Sequence, residues 1–208
     1  MKIIVFGPTG GTGQQLVAQA LAAGHEVTAF TRNPGAIAAR PGLTVAVGQT
    51  LDANAVERAI AGHDAVLCAL GGQPWRRRAR VCSSAVRNIV PSMAKQGVRR
   101  IVAISTFGAG NSRPQVGWFA RTVLFGLVLR SEVADKEVME RELAASDLDW
   151  TVVRIGLLTD GEARGTWRAA DDNSIQGMGK IARADVAAFM LAQLESGTWV
   201  RRRPALMY

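Results

Sequence analysis

The 208-residue chain is 48% hydrophobic and 20% charged, with 22 glycines scattered among apolar runs, a composition that excludes disorder and low complexity. Its length fits one domain whose core is large enough to need neither disulfides nor a metal. Lysine and arginine number 25 against 17 acids, a net charge of +8, which favours anionic partners and leaves nucleic acid, acidic lipid and a phosphorylated cofactor open.

Met1 and Lys2 lead into a short apolar run that stops at Gly7 and Pro8, so no signal peptide is expected. Runs at 2–6, 26–30, 43–47, 64–70, 100–105 and 150–155 are rich in β-formers and bounded by Gly, Pro or Asp, and they read as strands. They are nearly apolar on both faces, as parallel strands covered by helices on each side are. Helical spacing lies between them. It is carried by Leu16, Ala20 and Leu21, then Val56 and Ile60, then Val81, Ala85, Ile89 and Met93, and finally Val138, Met139 and Leu143. The alternation predicts an α/β, doubly wound, mostly parallel, Rossmann-like sheet in a single domain, 1–208, with 155–208 adding a small substrate-side elaboration. Pro91 falls inside the third helix, where a kink is expected. Beyond Thr159 the pattern predicts a short strand at 165–169, a helix at 183–194 and an extended tail at 198–208 that closes the fold.

Cys68 and Cys82 sit in apolar surroundings without metal-ligand or CxxC spacing, and read as buried free thiols of a reducing compartment. His25 and His63 stand in turns with no nucleophile beside them, and Ser83 and Ser84 lack a nearby base, so no metal or triad chemistry is expected. The apolar stretch 116–129 is broken by Arg121 and is too short to span a membrane. These features together predict a cytoplasmic protein. The segment 114–128, with Trp118 and Phe119, reads as a lid over a planar acceptor, as a dimer or membrane-surface contact, or as plain packing. The basic runs at 75–80 and 201–203 lie far apart in sequence and read as solvated, with no nucleic acid expected; the first run has a second reading, attraction of a flavin phosphate. Asp135, Asp160 and Asp185 read as caps or turn acids, Asp160 being near enough to the sixth strand to touch a substrate.

The first run ends in Gly7-Pro8-Thr9-Gly10-Gly11-Thr12-Gly13, with a helical pattern from Gln14. This GxxGxxG spacing has the context that gives it meaning, strand then turn then helix. Gly7 permits the tight turn, Gly10 lets backbone approach a pyrophosphate, and Gly13 lets the helix pack against the sheet. Amides at the helix start face the anion, aided by the helix dipole, and Thr9 and Thr12 can add hydroxyl donors. The second strand ends Phe30-Thr31-Arg32-Asn33, without the acid that holds a free ribose 2′-hydroxyl. Arg32 offers a bidentate partner for a 2′-phosphate instead, which predicts NADP(H) over NAD(H).

On these motifs the chain resembles the atypical short-chain dehydrogenase/reductase superfamily, and within it the NAD(P)H-binding group that includes flavin reductase, also called biliverdin reductase B. Supporting stretches are Ile4-Val5-Phe6-Gly7, His63-Asp64-Ala65-Val66, Asp135-Lys136-Glu137-Val138-Met139-Glu140 and Ala182-Arg183-Ala184-Asp185-Val186-Ala187. The resemblance implies that Gly7, Thr9, Gly10, Gly11, Thr12 and Gly13 line the pyrophosphate site and that Arg32 meets the 2′-phosphate. It places Gln49 and Thr50 beside the adenine and Leu70, Gly71 and Gly72 beside the cofactor ribose. Ser105 and Thr106 would lie near the nicotinamide, Arg154, Ile155 and Gly156 would back its face, and Lys136 would supply a nearby positive charge. Phe107, Trp118, Leu157 and Asp160 would meet the substrate.

One departure is informative. Typical members use a Tyr and a Lys four residues later, and the only tyrosine here is Tyr208. Ketone reduction benefits from such a positioned acid, whereas a flavin, quinone or tetrapyrrole-like ring delocalises the arriving charge and takes its proton from solvent. The resemblance therefore implies an NADPH-dependent oxidoreductase acting on a small planar acceptor, as a monomer or homodimer. The alternative is an NADP(H)-binding redox sensor or assembly protein without turnover.

Overall fold

Strand β1 (Lys2–Phe6) is buried at Ile3, Ile4, Val5 and Phe6, so both its faces need a covering layer. It pairs in parallel with β2 (Glu26–Thr31) on one side and β4 (Ala65–Cys68) on the other. Strands β3 (Leu43–Val47), β5 (Arg100–Thr106) and β6 (Asp149–Ile155) extend the parallel sheet outward. Near the C-terminus, β10 (Ala205–Met207) joins parallel to β6, and β8 (Arg168–Ala170) closes the far edge antiparallel to β10. The order is β3-β2-β1-β4-β5-β6-β10-β8. A separate parallel pair joins β7 (Leu157–Thr159) to β9 (Lys180–Ala182). The computed structural model describes residues 1–71, 80–117, 130–172 and 174–208. Gly72, Trp118, positions 75–79 of the basic run and 118–128 of the apolar segment lie outside the described residues.

The two-residue period of β1 divides the core. Ile4 and Phe6 face α2 (Ala53–Ile60), α3 (Val81–Gln96) and α4 (Arg130–Ala144), packing with Val56, Ile89 and Met139. Ile3 and Val5 face α1 (Gly11–Ala22) and α5 (Arg183–Ala192), packing with Leu16, Val186 and Met190. This is the doubly wound arrangement read from the sequence. The chain turns one way from β1 through β2 and β3, then returns to β4 on β1's other side. That switch point opens a crevice at the carboxyl ends of β1 and β4.

Several boundaries differ from the sequence reading for physical reasons. Strand β4 stops at Cys68 rather than residue 70, because Ala69 and Leu70 leave the sheet to pass beside Gly7. Strand β3 is not apolar on both faces: it is an edge strand, and Val47 is 63% exposed. Helix α3 runs unbroken through Pro91, which lies on the exposed side. The closing tail becomes β10, and the predicted strand at 165–169 becomes β8 at Arg168–Ala170.

Candidate functional site

The loop after β1 is built for close backbone approach. Gly7 has φ +83°, and a Cβ there would lie 2.8 Å from the Ala69 carbonyl oxygen. A Cβ at Gly13 would lie 2.0 Å from the Gly7 oxygen, a contact no side chain tolerates. Helix α1 starts with Gly10 at its N-cap, with neither a side-chain cap nor an acid in the first turn. The other helices whose starts are described each have a carboxylate there. Asp52 accepts from the Ala55 amide at the start of α2. Asp135, reaching across from α4, accepts from the Cys82 and Ser83 amides at 2.8 and 3.0 Å, and α5 carries Asp185 in its first turn. The opening amides of α1 thus have no capping side chain from the protein, and a helix start of this kind can receive an anion.

A cleft of about 320 Å³ runs from this loop toward the end of β2. Gly7, Pro8 and Thr9 form its floor, Thr31, Arg32, Gln49 and Thr50 one wall, and Leu70, Arg80 and Ser84 the other. Among the described residues no carboxylate lines it, while two arginines do. Arg80 closes the basic run at 75–80, which the sequence did not place at the coenzyme cleft.

A second cleft of about 240 Å³ lies at the ends of β4, β5 and β6. It brings together Thr12, Leu70, Gly71, Ser105, Thr106, Lys136, Ile155, Gly156 and Leu157. Ile104, Val133, Leu158 and Met178 make much of the rest of its wall apolar, and Glu132 of α4 adds a carboxylate to it. Gly156 lets the chain cross Gly179 closely, since a Cβ there would stand 2.2 Å from the Gly179 oxygen.

Two of the polar residues around this cleft, Lys136 and Ser105, are bonded within the protein. Lys136 is 2% exposed and donates to the carbonyl oxygens of Leu70 and Ile104, each at 2.7 Å, tying the ends of β4 and β5 together. Burial works against its charge, but the Cys82 and Cys68 sulfurs beside it outweigh that and hold its pKa above the usual lysine value. Ser105 is fully buried and donates to Glu140 Oε1 at 2.6 Å. Arg154 donates to the same carboxylate through Nε and Nη2, at 3.1 and 2.6 Å, and Arg203 stands 3.3 Å from Oε2. In the β5–β6 register Ser105 is the partner of Arg154, so both side chains project from one sheet face toward α4. Arg154 accordingly lines a small cavity with Asn111, Asp171 and Arg203, and only its neighbours Ile155 and Gly156 reach the cleft. Phe107 is likewise enclosed, packed with Val116, Val133 and Met207 behind the cleft wall. Asp160 is exposed and ion-paired with Arg183.

Glu140, Arg183 and Met178 escaped the sequence reading. Glu140 had a signal: positions 133, 136, 140 and 143 share the inward face of α4, so an oppositely charged pair at 136 and 140 sits on an otherwise apolar stripe.

The profile of the family described as NAD(P)H-binding matches residues 7–197. The chain belongs to that family. Over 112 residues it is 33% identical to a 3-beta-hydroxysteroid dehydrogenase of Mycolicibacterium neoaurum, covering 49% of this chain and 31% of that protein. The chain spans about a third of the length of the first curated relatives it matches. Among solved structures, the anaerobilin reductase ChuY of Escherichia coli O157:H7 is 26% identical with a TM-score of 0.85, covering 100% of this chain and 97% of that one. A short-chain dehydrogenase/reductase of Veillonella parvula, solved in complex with NADP, is 18% identical with a TM-score of 0.81 over 100% and 94% of the two chains, a likeness of fold. The expected Rossmann-like α/β architecture is borne out along the whole chain. Among the described residues no helix is long and apolar enough to cross a membrane.

Proposed function

We propose that the protein is an NADPH-dependent reductase that delivers hydride to a planar conjugated acceptor, a flavin, a quinone or a tetrapyrrole-like ring. The observation that carries this reading is the pairing of two clefts across the opening turn of α1. Among the described residues the first is lined by no carboxylate and is faced by Arg32; the second is largely apolar. The bound coenzyme supplies hydride from its reduced nicotinamide. The chain supplies placement, which brings large rate gains when the acceptor needs little else.

In this reading the amides at Gly11 and Thr12 hold the diphosphate, and Arg32 selects the 2′-phosphate by a charge-assisted pair. Gln49 and Thr50 flank the adenine. Ser105 is fully buried and bonded to Glu140, so it fixes the end of β5 behind the cleft, and the half-buried Thr106 is the hydroxyl left to meet the carboxamide of the nicotinamide. Lys136 fixes the Leu70 and Ile104 backbones that form the two walls, and acts as a positioning residue.

The lack of a tyrosine at the cleft, among the described residues, supports the choice of acceptor. Tyr208 donates to Asp185 and accepts from the Ala182 amide, so among the described residues no phenol faces the cleft. An acceptor that delocalises the incoming electron pair draws its proton from water, and NADPH, a proton and the oxidised acceptor yield NADP⁺ and the dihydro product. The likeness to ChuY, whose own name specifies a bilin, favours an acceptor of that breadth. The test is loss of NADPH absorbance with FMN, dichlorophenolindophenol, quinones and a linear tetrapyrrole. Turnover with at least one is expected; tight coenzyme binding without turnover of any would overturn the reductase reading.

A further inference from the structure

Arg183 lies where no expectation placed a functional residue. It is the first residue of α5, and its stem rests on the opening turn of α1: a Cβ on Gly11 would lie 2.7 Å from Arg183 Cδ and 2.8 Å from Nε. Gly11 thus clears room for a guanidinium rather than for a turn. That guanidinium is ion-paired with Asp160, which follows β7.

The position matters because of what must cross it. Pro8 and Thr9 line the first cleft and Thr12 lines the second, so a dinucleotide spanning both has to carry its diphosphate over residues 10–12. We propose that Arg183 is a diphosphate clamp: it leaves Asp160 when coenzyme binds and pairs with the phosphate that crosses the Gly10–Gly11–Thr12 turn. The inference rests on the coenzyme reading above and adds to it a charged residue outside the glycine loop.

The exchange is cheap in the direction required. The Asp160 side chain is 87% exposed and that of Arg183 27%, and ion pairs open to water contribute little. A diphosphate carries more charge than one carboxylate, and beside the helix start the amides of α1 add to the guanidinium's pull. Asp160 then acts as a placeholder that keeps the arginine extended across the turn before the ligand arrives.

The experiment is titration of NADPH and NADH into wild-type protein and the Arg183→Gln, Arg183→Lys and Asp160→Asn variants, with thermal midpoints to establish folding. Arg183→Gln is expected to weaken both coenzymes by about the same factor, near tenfold, which corresponds to about 1.4 kcal/mol. Arg183→Lys should recover part of that loss. Asp160→Asn should bind NADPH as tightly as wild type or severalfold tighter, because a competitor is gone. Gly11→Ala, which pushes the arginine aside, should add little to Arg183→Gln when the two are combined. Wild-type affinity in Arg183→Gln would overturn the clamp while leaving the coenzyme reading intact, and absence of any heat with wild-type protein would sink that reading itself. If Arg183→Gln instead raises the KM of a carboxylate-bearing acceptor alone, with a neutral quinone unaffected and coenzyme affinity unchanged, the guanidinium serves the acceptor and the diphosphate assignment is wrong.

Discussion

Ser105 donates its hydroxyl proton to Glu140 across 2.6 Å, and Glu140 at the same time faces two guanidinium groups, those of Arg154 and Arg203. The serine expected to orient the nicotinamide is therefore the fully buried end of a charged cluster that opens to solvent at Arg203, whose side chain is 31% exposed. The Glu140 and Arg154 side chains are only 4% and 5% exposed. At that depth an ion pair is weak evidence of net stability, yet removing one partner strands the other.

Glu140→Ala should accordingly destabilise the fold by about 3–5 kcal/mol, because Arg154 loses its counter-charge in the interior. Ser105→Ala should cost only about 1–2 kcal/mol, the loss of one hydrogen bond to a charged acceptor. Urea unfolding of the two variants checks the order. A Glu140→Ala protein as stable as Ser105→Ala would mean that the cluster is hydrated.

Arg32→Asp should raise the Kd for NADPH about tenfold or more and leave NADH binding unchanged or improved. A carboxylate at the end of β2 repels the 2′-phosphate and accepts from a free 2′-hydroxyl. A fluorescence titration reads both constants. An unchanged NADPH/NADH ratio would remove Arg32 from the site.

Much of this architecture was legible in the order of residues because the physics is local. Five buried strands and the edge strand β3 announce themselves as apolar runs, and the turn after β1 needs glycine at 7 and 13 whatever lies elsewhere. The placement of Ser105 beside Arg154 was not legible. It follows from the β5–β6 register, a non-local pairing that adjacent letters do not encode. Asp135 illustrates the same limit: it reads as a cap or turn acid, but which helix it caps is not legible, and its carboxylate caps α3 from a separation of 53 residues. Asp160 and Arg183 meet only because β7 and β9 pair. The segments around Gly72 and Trp118 lie outside the described residues, so the lid, interface and packing readings of 114–128 stand as they did.

Asp185 gathers the Arg164 and Gly165 amides and the Tyr208 hydroxyl around a buried carboxylate. Burial works against its charge, but these donors and the Arg164 guanidinium outweigh it and hold its pKa below the usual aspartate value. A group depressed in the folded state stabilises above its unfolded pKa, and the benefit disappears as pH falls through the folded value. Asp185→Asn should therefore cost about 1–3 kcal/mol at neutral pH. The gap to wild type should narrow once pH drops below about 4. Unfolding free energies at both pH values test this; a gap that stays constant would show that the charge plays no part.

Cys82 gives the opposite dependence. Burial pushes its thiol from the ordinary value of 9.0 up to about 11, with Lys136 pulling the other way, and burial raises Cys68 as well. The unfolded chain thus releases these protons at lower pH than the native one. Stability contributed by the protonated thiol is complete below the unfolded pKa and drains away as pH rises toward the folded value. For Cys82 the full loss is on the order of 2–3 kcal/mol. Wild-type protein should lose stability between about pH 8 and about pH 10.5 faster than Cys82→Ala does, since the variant has one fewer proton to release on unfolding. The thiols should also resist alkylation in the native state and react on denaturation, because the thiolate is the nucleophile. Equal pH slopes in the two proteins, together with rapid native-state alkylation at position 82, would place that sulfur in contact with water.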